Sequence, residues 1–168
     1  MLKKLIATLA ALLAAAYVWL AFVGIDPQDR RPGTKLSGVA TQLPDNWRVL
    51  DDVQEVHLET HPWYGIPFSV TVVIAPDPTG LYLPSIYETA QPFPGSKYWN
   101  KVVAENPNVR LRVNDALYEM HVEPMTDPES YDIGLRALAR KYPFWQQRLD
   151  TANTDRDFAI LRLSPRRI

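Results

Sequence analysis

The 168 residues contain no cysteine, which excludes disulfides, thiolate nucleophiles and Cys-ligated metals and leaves the redox compartment unread. Histidine is scarce too. His57, His61 and His121 are scattered along the chain, so no metal site is expected. Nor is there an excess of basic charge. Beyond residue 25, 16 Lys or Arg stand against 19 Asp or Glu, a net charge of −3. A nucleic-acid binder needs a basic face for its phosphate contacts, so no nucleic-acid partner is expected. The sequence has no Ser-His-Asp order, phosphate loop or zinc-helix motif, which leaves a hydrolase or nucleotidase without support. Internal repeats and low-complexity tracts are absent as well.

Charge is also missing from Leu5 to Ile25, a run interrupted only by Thr8 and Gly24. As a helix it spans about 30 Å, the thickness of a bilayer's hydrocarbon core, so membrane lipid is the expected partner of residues 5–25. Tyr17, Trp19 and Phe22 crowd its C-terminal half, where an aromatic belt belongs. The competing reading is a signal peptide cleaved at Ala14-Ala15-Ala16, which leaves the mature chain an awkward apolar N-terminus, YVWLAFVGI. Lys3 and Lys4 favour a cytoplasmic N-terminus and a single-pass topology with an extracytoplasmic domain, periplasmic or at the cell surface. Arg30, Arg31 and Lys35 flank the other end.

Three regions follow: residues 1–25 as transmembrane anchor or signal peptide, 26–46 as a Pro-, Gly- and Asp-rich linker or loosely draped segment, and 47–168 as one folded domain. Within that domain Val53–Thr60 alternates as a strand. Phe68–Ala75 is β-branched and largely apolar, which predicts a strand covered on both faces. Pro76-Asp77-Pro78-Thr79-Gly80 signals a turn. Leu81–Tyr87 is a third strand, and Pro84 makes it an edge or a bulge. An irregular loop, Glu88–Ser96, leads to a short amphipathic helix over Lys97–Glu105, which Asn106-Pro107-Asn108 breaks. Val109–Val113 and Ala116–Pro124 alternate around an Asn114-Asp115 turn as a hairpin. Asp127-Pro128-Glu129-Ser130 opens a helix that Pro143 interrupts or restarts, and Asp157–Leu163 is the last strand. Hairpin-linked strands with short helices between them predict a mainly β (α+β) domain, a small antiparallel barrel with helices packed at its openings.

Four stretches carry a family resemblance: Gly65-Ile66-Pro67, Leu81-Tyr82-Leu83-Pro84-Ser85, Lys97-Tyr98-Trp99-Asn100 with Glu105-Asn106-Pro107, and Leu161 to Arg166. Their order and spacing resemble the split β-barrel of the pyridoxamine phosphate oxidase-like flavoproteins and their deazaflavin-dependent nitroreductase relatives, over Trp47 to the C-terminus. The resemblance implies a homodimer with FMN or a deazaflavin in a groove and oxidoreductase chemistry on a small molecule. Carried over by position, Ser85, Ser96 and Lys97 are the cofactor's phosphate-side residues, and Trp99 and Asn100 border its ring. Phe68-Ser69 and Pro84 stand where a basic residue is common in that family. A second reading therefore stays open, a non-catalytic membrane-tethered binding or assembly module with a degenerate site and no cofactor. A deazaflavin is hard to supply outside the cytoplasm, which favours that second reading for an extracytoplasmic domain.

The residues also have plainer roles. Lys97 fits a solvated cation at a helix start, and Trp99 a core residue between helix and barrel. His57 and His121 alternate with apolar neighbours, the pattern of hydrogen-bonded structural histidines. His61, ahead of Pro62-Trp63-Tyr64, fits either a pocket lining or a turn. Arg110 and Arg112 share a strand face and either clamp an anion or pair with Glu119 or Glu123 across the hairpin.

Overall fold

The computed structural model describes residues 1–78, 80–86, 93–150 and 158–166. Thr79, residues 87–92 of the expected third strand and loop, and Asp157 of the expected last strand lie outside the described residues. In chain order the elements are α1 (Leu2–Phe22), β1 (Val39–Ala40), a 3-10 turn (Trp47–Leu50), β2 (Glu55–Thr60), β3 (Phe68–Val73), β4 (Ala75–Asp77), β5 (Gly80–Ile86), α2 (Tyr98–Glu105), β6 (Asn108–Val113), β7 (Ala116–Pro124), α3 (Pro128–Lys141), α4 (Pro143–Asp150) and β8 (Phe158–Pro165).

Local chemistry sets these boundaries. Asn114 takes φ +53 in the β6–β7 turn, a conformation that asparagine tolerates and tight hairpins require. The Asp127 carboxylate accepts from Ser130 N at 2.9 Å and caps α3. Tyr142, just before Pro143, is driven out of the helical region to φ −126, ψ 120, so α3 stops and α4 starts afresh.

The strands form one sheet in the order β3-β2-β6-β7-β8-β5-β4, antiparallel throughout that path, with β1 added in parallel beside β7. Only Ile74 separates β3 from β4, so the two ends of the order belong to one stretch of chain and the sheet curls round on itself. This is the expected split β-barrel with short packing helices, preceded by one helix long and apolar enough to cross a membrane.

Strand alternation fills the inside with Leu58, Leu111, Met120, Leu83 and Leu161, all fully buried. The opposite faces of β5 and β8 send Tyr82, Phe158 and Ile160 outward to meet Tyr131, Leu135 and Leu138 of α3 and Trp145 of α4. Both of these strands are therefore covered on both sides, which explains their continuous apolar runs. The strand expected to be covered on both faces, Phe68–Ala75, differs: β3 stands at one end of the order, most of its side chains are half-buried, and the ladder breaks at Ile74. Pro84 sits where its missing donor costs nothing, opposite Ile160 on one side and past the last β4 pair, Ala75 with Tyr82, on the other.

Residues 26–37 run against β3, β2 and β6, and residues 39–41 pair with β7. Gly33 exchanges backbone hydrogen bonds with Ser69 at 2.9 and 3.1 Å, and Leu36 is buried.

Candidate functional site

A cleft of about 530 Å³ opens where the N-terminal end of α2 faces the segment that follows α1. Its polar rim is Asp29, Arg30 and Arg31 on one side and Lys97 on the other; its apolar wall is Val70, Ile86 and Trp99. All three cations are exposed. Trp99 belongs to the barrel core, 7% exposed, and also lines the cleft. Thr71 also lines the cleft, and its Oγ1 is buried without a hydrogen-bond partner among the described residues.

The structure thus brings Lys97 and Trp99 together and places the other four sequence candidates differently. Ser85 and Asn100 are fully buried and bonded to each other. The Asn100 amide donates to Ser85 Oγ at 2.8 Å and to the Pro94 carbonyl at 2.9 Å, and the Ser85 hydroxyl donates back to Asn100 Oδ1 at 3.2 Å. This pair fastens α2 to β5 behind the cleft. Ser96 is exposed beside Lys97. His61 lies elsewhere, on the outer face of the sheet. Arg30 and Arg31 escaped sequence reasoning; the only signal was a pair of adjacent arginines just after an apolar span and ahead of Pro32-Gly33.

The outer face carries the buried charge. Strand register places Glu59 opposite both Ser69 and Arg110, and His57 opposite Arg112. Glu59 Oε2 accepts from Leu36 N at 2.5 Å, while Oε1 has no hydrogen bond and faces Arg110 Nη1 at 3.5 Å and His61 Nε2 at 3.7 Å. Burial pushes the Glu59 carboxyl up, opposed by the Leu36 amide and then by Arg110. Arg110 also meets Glu119 at 2.8 Å, so the pairing across the hairpin is the observed role of this arginine. Arg112 Nη1 donates to Asp26 Oδ1 at 2.8 Å and to the Ser37 carbonyl at 3.2 Å, and Nη2 donates to His57 Nδ1 at 2.5 Å, which leaves the His57 proton on Nε2. His121 Nδ1 lies 3.4 Å from Asn108 Oδ1.

Arg112 therefore clips the segment after α1 onto the barrel. Arg112→Ala removes the bonds to Asp26, the Ser37 carbonyl and His57 together and is expected to cost about 2 kcal/mol of unfolding free energy. Trypsin should then cut faster after Arg30, the Arg31-Pro32 bond being resistant to it; an unchanged cleavage rate contradicts the clip.

Burial first, then the neighbouring guanidinium, holds both His57 and His61 below the ordinary imidazole value. The unfolded chain takes up protons at these histidines before the native chain does. Their contribution to stability is therefore present above about pH 6.5 and lost as pH falls through that value towards the depressed native ones. Glu59 has the opposite sign, its contribution being lost as pH rises towards its raised native value. The thermal midpoint is expected to fall between pH 7.5 and 6, and the fall to be shallower in the His57→Asn, His61→Asn double variant. Equal slopes for the two proteins contradict this assignment.

No family model and no curated protein matches the chain. Solved structures do share its fold, the split barrel. One is a candidate 5-nitroimidazole antibiotic resistance protein from Bacteroides thetaiotaomicron: 12% identity, 83% of this chain and 90% of that one covered, TM-score 0.52. Another is a candidate pyridoxamine 5'-phosphate oxidase from Listeria innocua: 15% identity, 71% of this chain and 89% of that one covered, TM-score 0.50. The resemblance read from the sequence thus holds at the level of the fold.

Proposed function

We propose that the protein is a membrane-anchored split-barrel oxidoreductase that holds FMN, or a deazaflavin phosphate, in the cleft between α2 and residues 29–32. The observation that carries this reading is the lining of that cleft: Arg30, Arg31 and Lys97 on a rim whose inner wall is Val70, Ile86 and Trp99. The donor set suits the ligand. Guanidinium and ammonium groups hold phosphate by charge-assisted hydrogen bonds, an apolar wall that includes a tryptophan accepts a flat heteroaromatic ring, and the buried Thr71 hydroxyl, unpartnered among the described residues, supplies a polar contact. A volume of about 530 Å³ suits one cofactor-sized molecule.

A bound flavin supplies the electron-transfer chemistry itself. The chain's own residues then have three tasks. The cations fix the phosphate, Trp99 and Ile86 exclude water from the ring, and the Ser85–Asn100 pair positions Lys97 and Trp99 through α2 without touching the ligand. Ser96, exposed next to Lys97, adds a hydroxyl at the phosphate end. His61, in the Glu59–Arg110 network, is assigned no contact. Helix α1 anchors the barrel as a single pass, with the barrel on the extracytoplasmic side, and two copies associate as a homodimer.

A second reading, a membrane-tethered binding or assembly module without a cofactor, is favoured by the Ser85–Asn100 pair, which turns two expected cofactor ligands towards each other. Full-length protein in lipid nanodiscs separates the two readings. Redox function predicts visible flavin absorbance as isolated or after FMN addition, with affinity falling about tenfold for each of Arg30→Ala, Arg31→Ala and Lys97→Ala. Thermal midpoints should hold, since all three side chains are exposed. A protein that stays colourless through the titration supports the module instead.

A further inference from the structure

The turn Pro62–Gly65 presents Trp63 with 89% of its surface exposed, an unusual position for the largest apolar side chain in a domain whose Trp47, Trp99 and Trp145 are all buried. The turn is also tied to α1. Tyr17 Oη donates to the Tyr64 carbonyl at 3.0 Å, and the Tyr98 hydroxyl donates to that of Tyr64 at 3.0 Å, so a chain of three tyrosines links the apolar helix to α2. Gly65 makes room for the contact. It takes φ +82, and a Cβ there would stand 2.7 Å from Tyr17 Oη. The indole of Trp63 rests edge-on against Tyr64, 5.7 Å between ring centres, and points away from the core.

These contacts set a depth. Tyr17 lies five residues before the end of α1 at Phe22, about 7.5 Å back along the helix axis. The polar zone on each side of a bilayer's hydrocarbon core is only about 5–8 Å thick. In a helix that spans the bilayer, Tyr17 and the Tyr64 carbonyl bonded to it lie at or inside that zone, and Trp63 is carried there with them. Lys35 lies over the Phe22 ring, 5.7 Å from its centre, and brings a cation to the same helix end, where anionic and zwitterionic headgroups sit.

Resting on the reading of α1 as a membrane anchor, we propose that Pro62–Gly65 is a second membrane contact, in which Trp63 inserts at the boundary between headgroups and acyl chains. Two contacts fix the rotation of the barrel on the bilayer as well as its attachment, and they hold the cleft rim at Asp29–Arg31, a few residues past the end of α1, close to the lipid surface.

The test uses full-length protein in nanodiscs of phosphatidylcholine and phosphatidylglycerol, with and without bromine on the acyl chains, which quenches tryptophan emission at contact. Emission from Trp63 is read as wild type minus Trp63→Phe, and emission from Trp19 as wild type minus Trp19→Phe, the helix control. The proposal predicts that brominated lipid reduces both difference signals, that of Trp63 by roughly twofold or more for an interfacial indole. Quenching of the Trp19 signal with an unchanged Trp63 signal overturns the proposal and leaves the anchor standing. Loss of quenching from both overturns the anchor and the proposal together.

Discussion

Replacing Gly134 with valine is expected to cost the fold about 3 kcal/mol, the upper end for overpacking a tight interface. Gly134 lies in the middle of α3, on the stripe formed with Tyr131, Leu135 and Leu138, where glycine is ordinarily a liability. The reason lies across the interface. A Cβ at this position would stand 2.5 Å from Ile160 Cγ2 and 3.0 Å from Tyr82 Cδ1. Neither neighbour yields easily, because Ile160 is β-branched and fully buried on β8 and the Tyr82 ring is held on β5. The helix has to lift, which opens contacts along the whole α3 stripe. Gly134→Ala gives the sharper sign test. In an exposed helix that change stabilises by about 1 kcal/mol; here it is expected to destabilise by about 1–2 kcal/mol. Denaturant unfolding of the full chain in mild detergent measures both variants, and a raised midpoint for Gly134→Ala contradicts the packing described.

Asn100→Ala has a comparable expected effect, about 3 kcal/mol, by a different route. The substitution removes no cation and no ring from the cleft. It leaves the buried Ser85 Oγ and the half-buried Pro94 carbonyl without the amide that served both. Ser85→Ala should cost less, about 1–2 kcal/mol, since Asn100 keeps its bond to Pro94. The double variant should cost clearly less than the two single losses added, because the pair acts as one unit. Functionally, Asn100→Ala should weaken FMN binding even where the protein is still folded, because α2 carries Trp99 and starts directly after Lys97. Additive stability losses, or unchanged FMN affinity in folded Asn100→Ala protein, contradict the role of this pair as the fastener of the cleft wall.

The strands were legible because their evidence is local. Val109, Leu111 and Val113 alternate with two arginines, and Asn114-Asp115 names the turn. Asp127 ahead of Pro128 names the start of α3. What closes the sheet was not local. That β3 and β4 are one stretch broken at Ile74, standing at opposite ends of the strand order, depends on pairings with β2 and β5 that no window of sequence contains. The segment 26–46 was hardest to read for the same reason. Its composition is that of a linker, yet Leu36 meets Glu59 across 23 residues and Asp26 meets Arg112 across 86. Those contacts bring Arg30 and Arg31 to the cleft. Lys97 and Trp99 were offered by the order and spacing that carry the family resemblance, and both line the cleft. The partnership of Ser85 with Asn100 could not, since spacing alone does not distinguish a ligand contact from an internal one.

On the proposed reading, Arg30, Arg31 and Lys97 make the cleft a phosphate-bearing flavin site. Parallel titrations of the full-length protein in nanodiscs with FMN and with riboflavin, which lacks only the phosphate, test it most directly. FMN is expected to bind at least about tenfold more tightly than riboflavin, and the difference to disappear in the Arg30→Ala, Arg31→Ala, Lys97→Ala triple variant. Equal affinity for the two compounds in the wild-type protein, or a phosphate preference that survives in the triple variant, contradicts it.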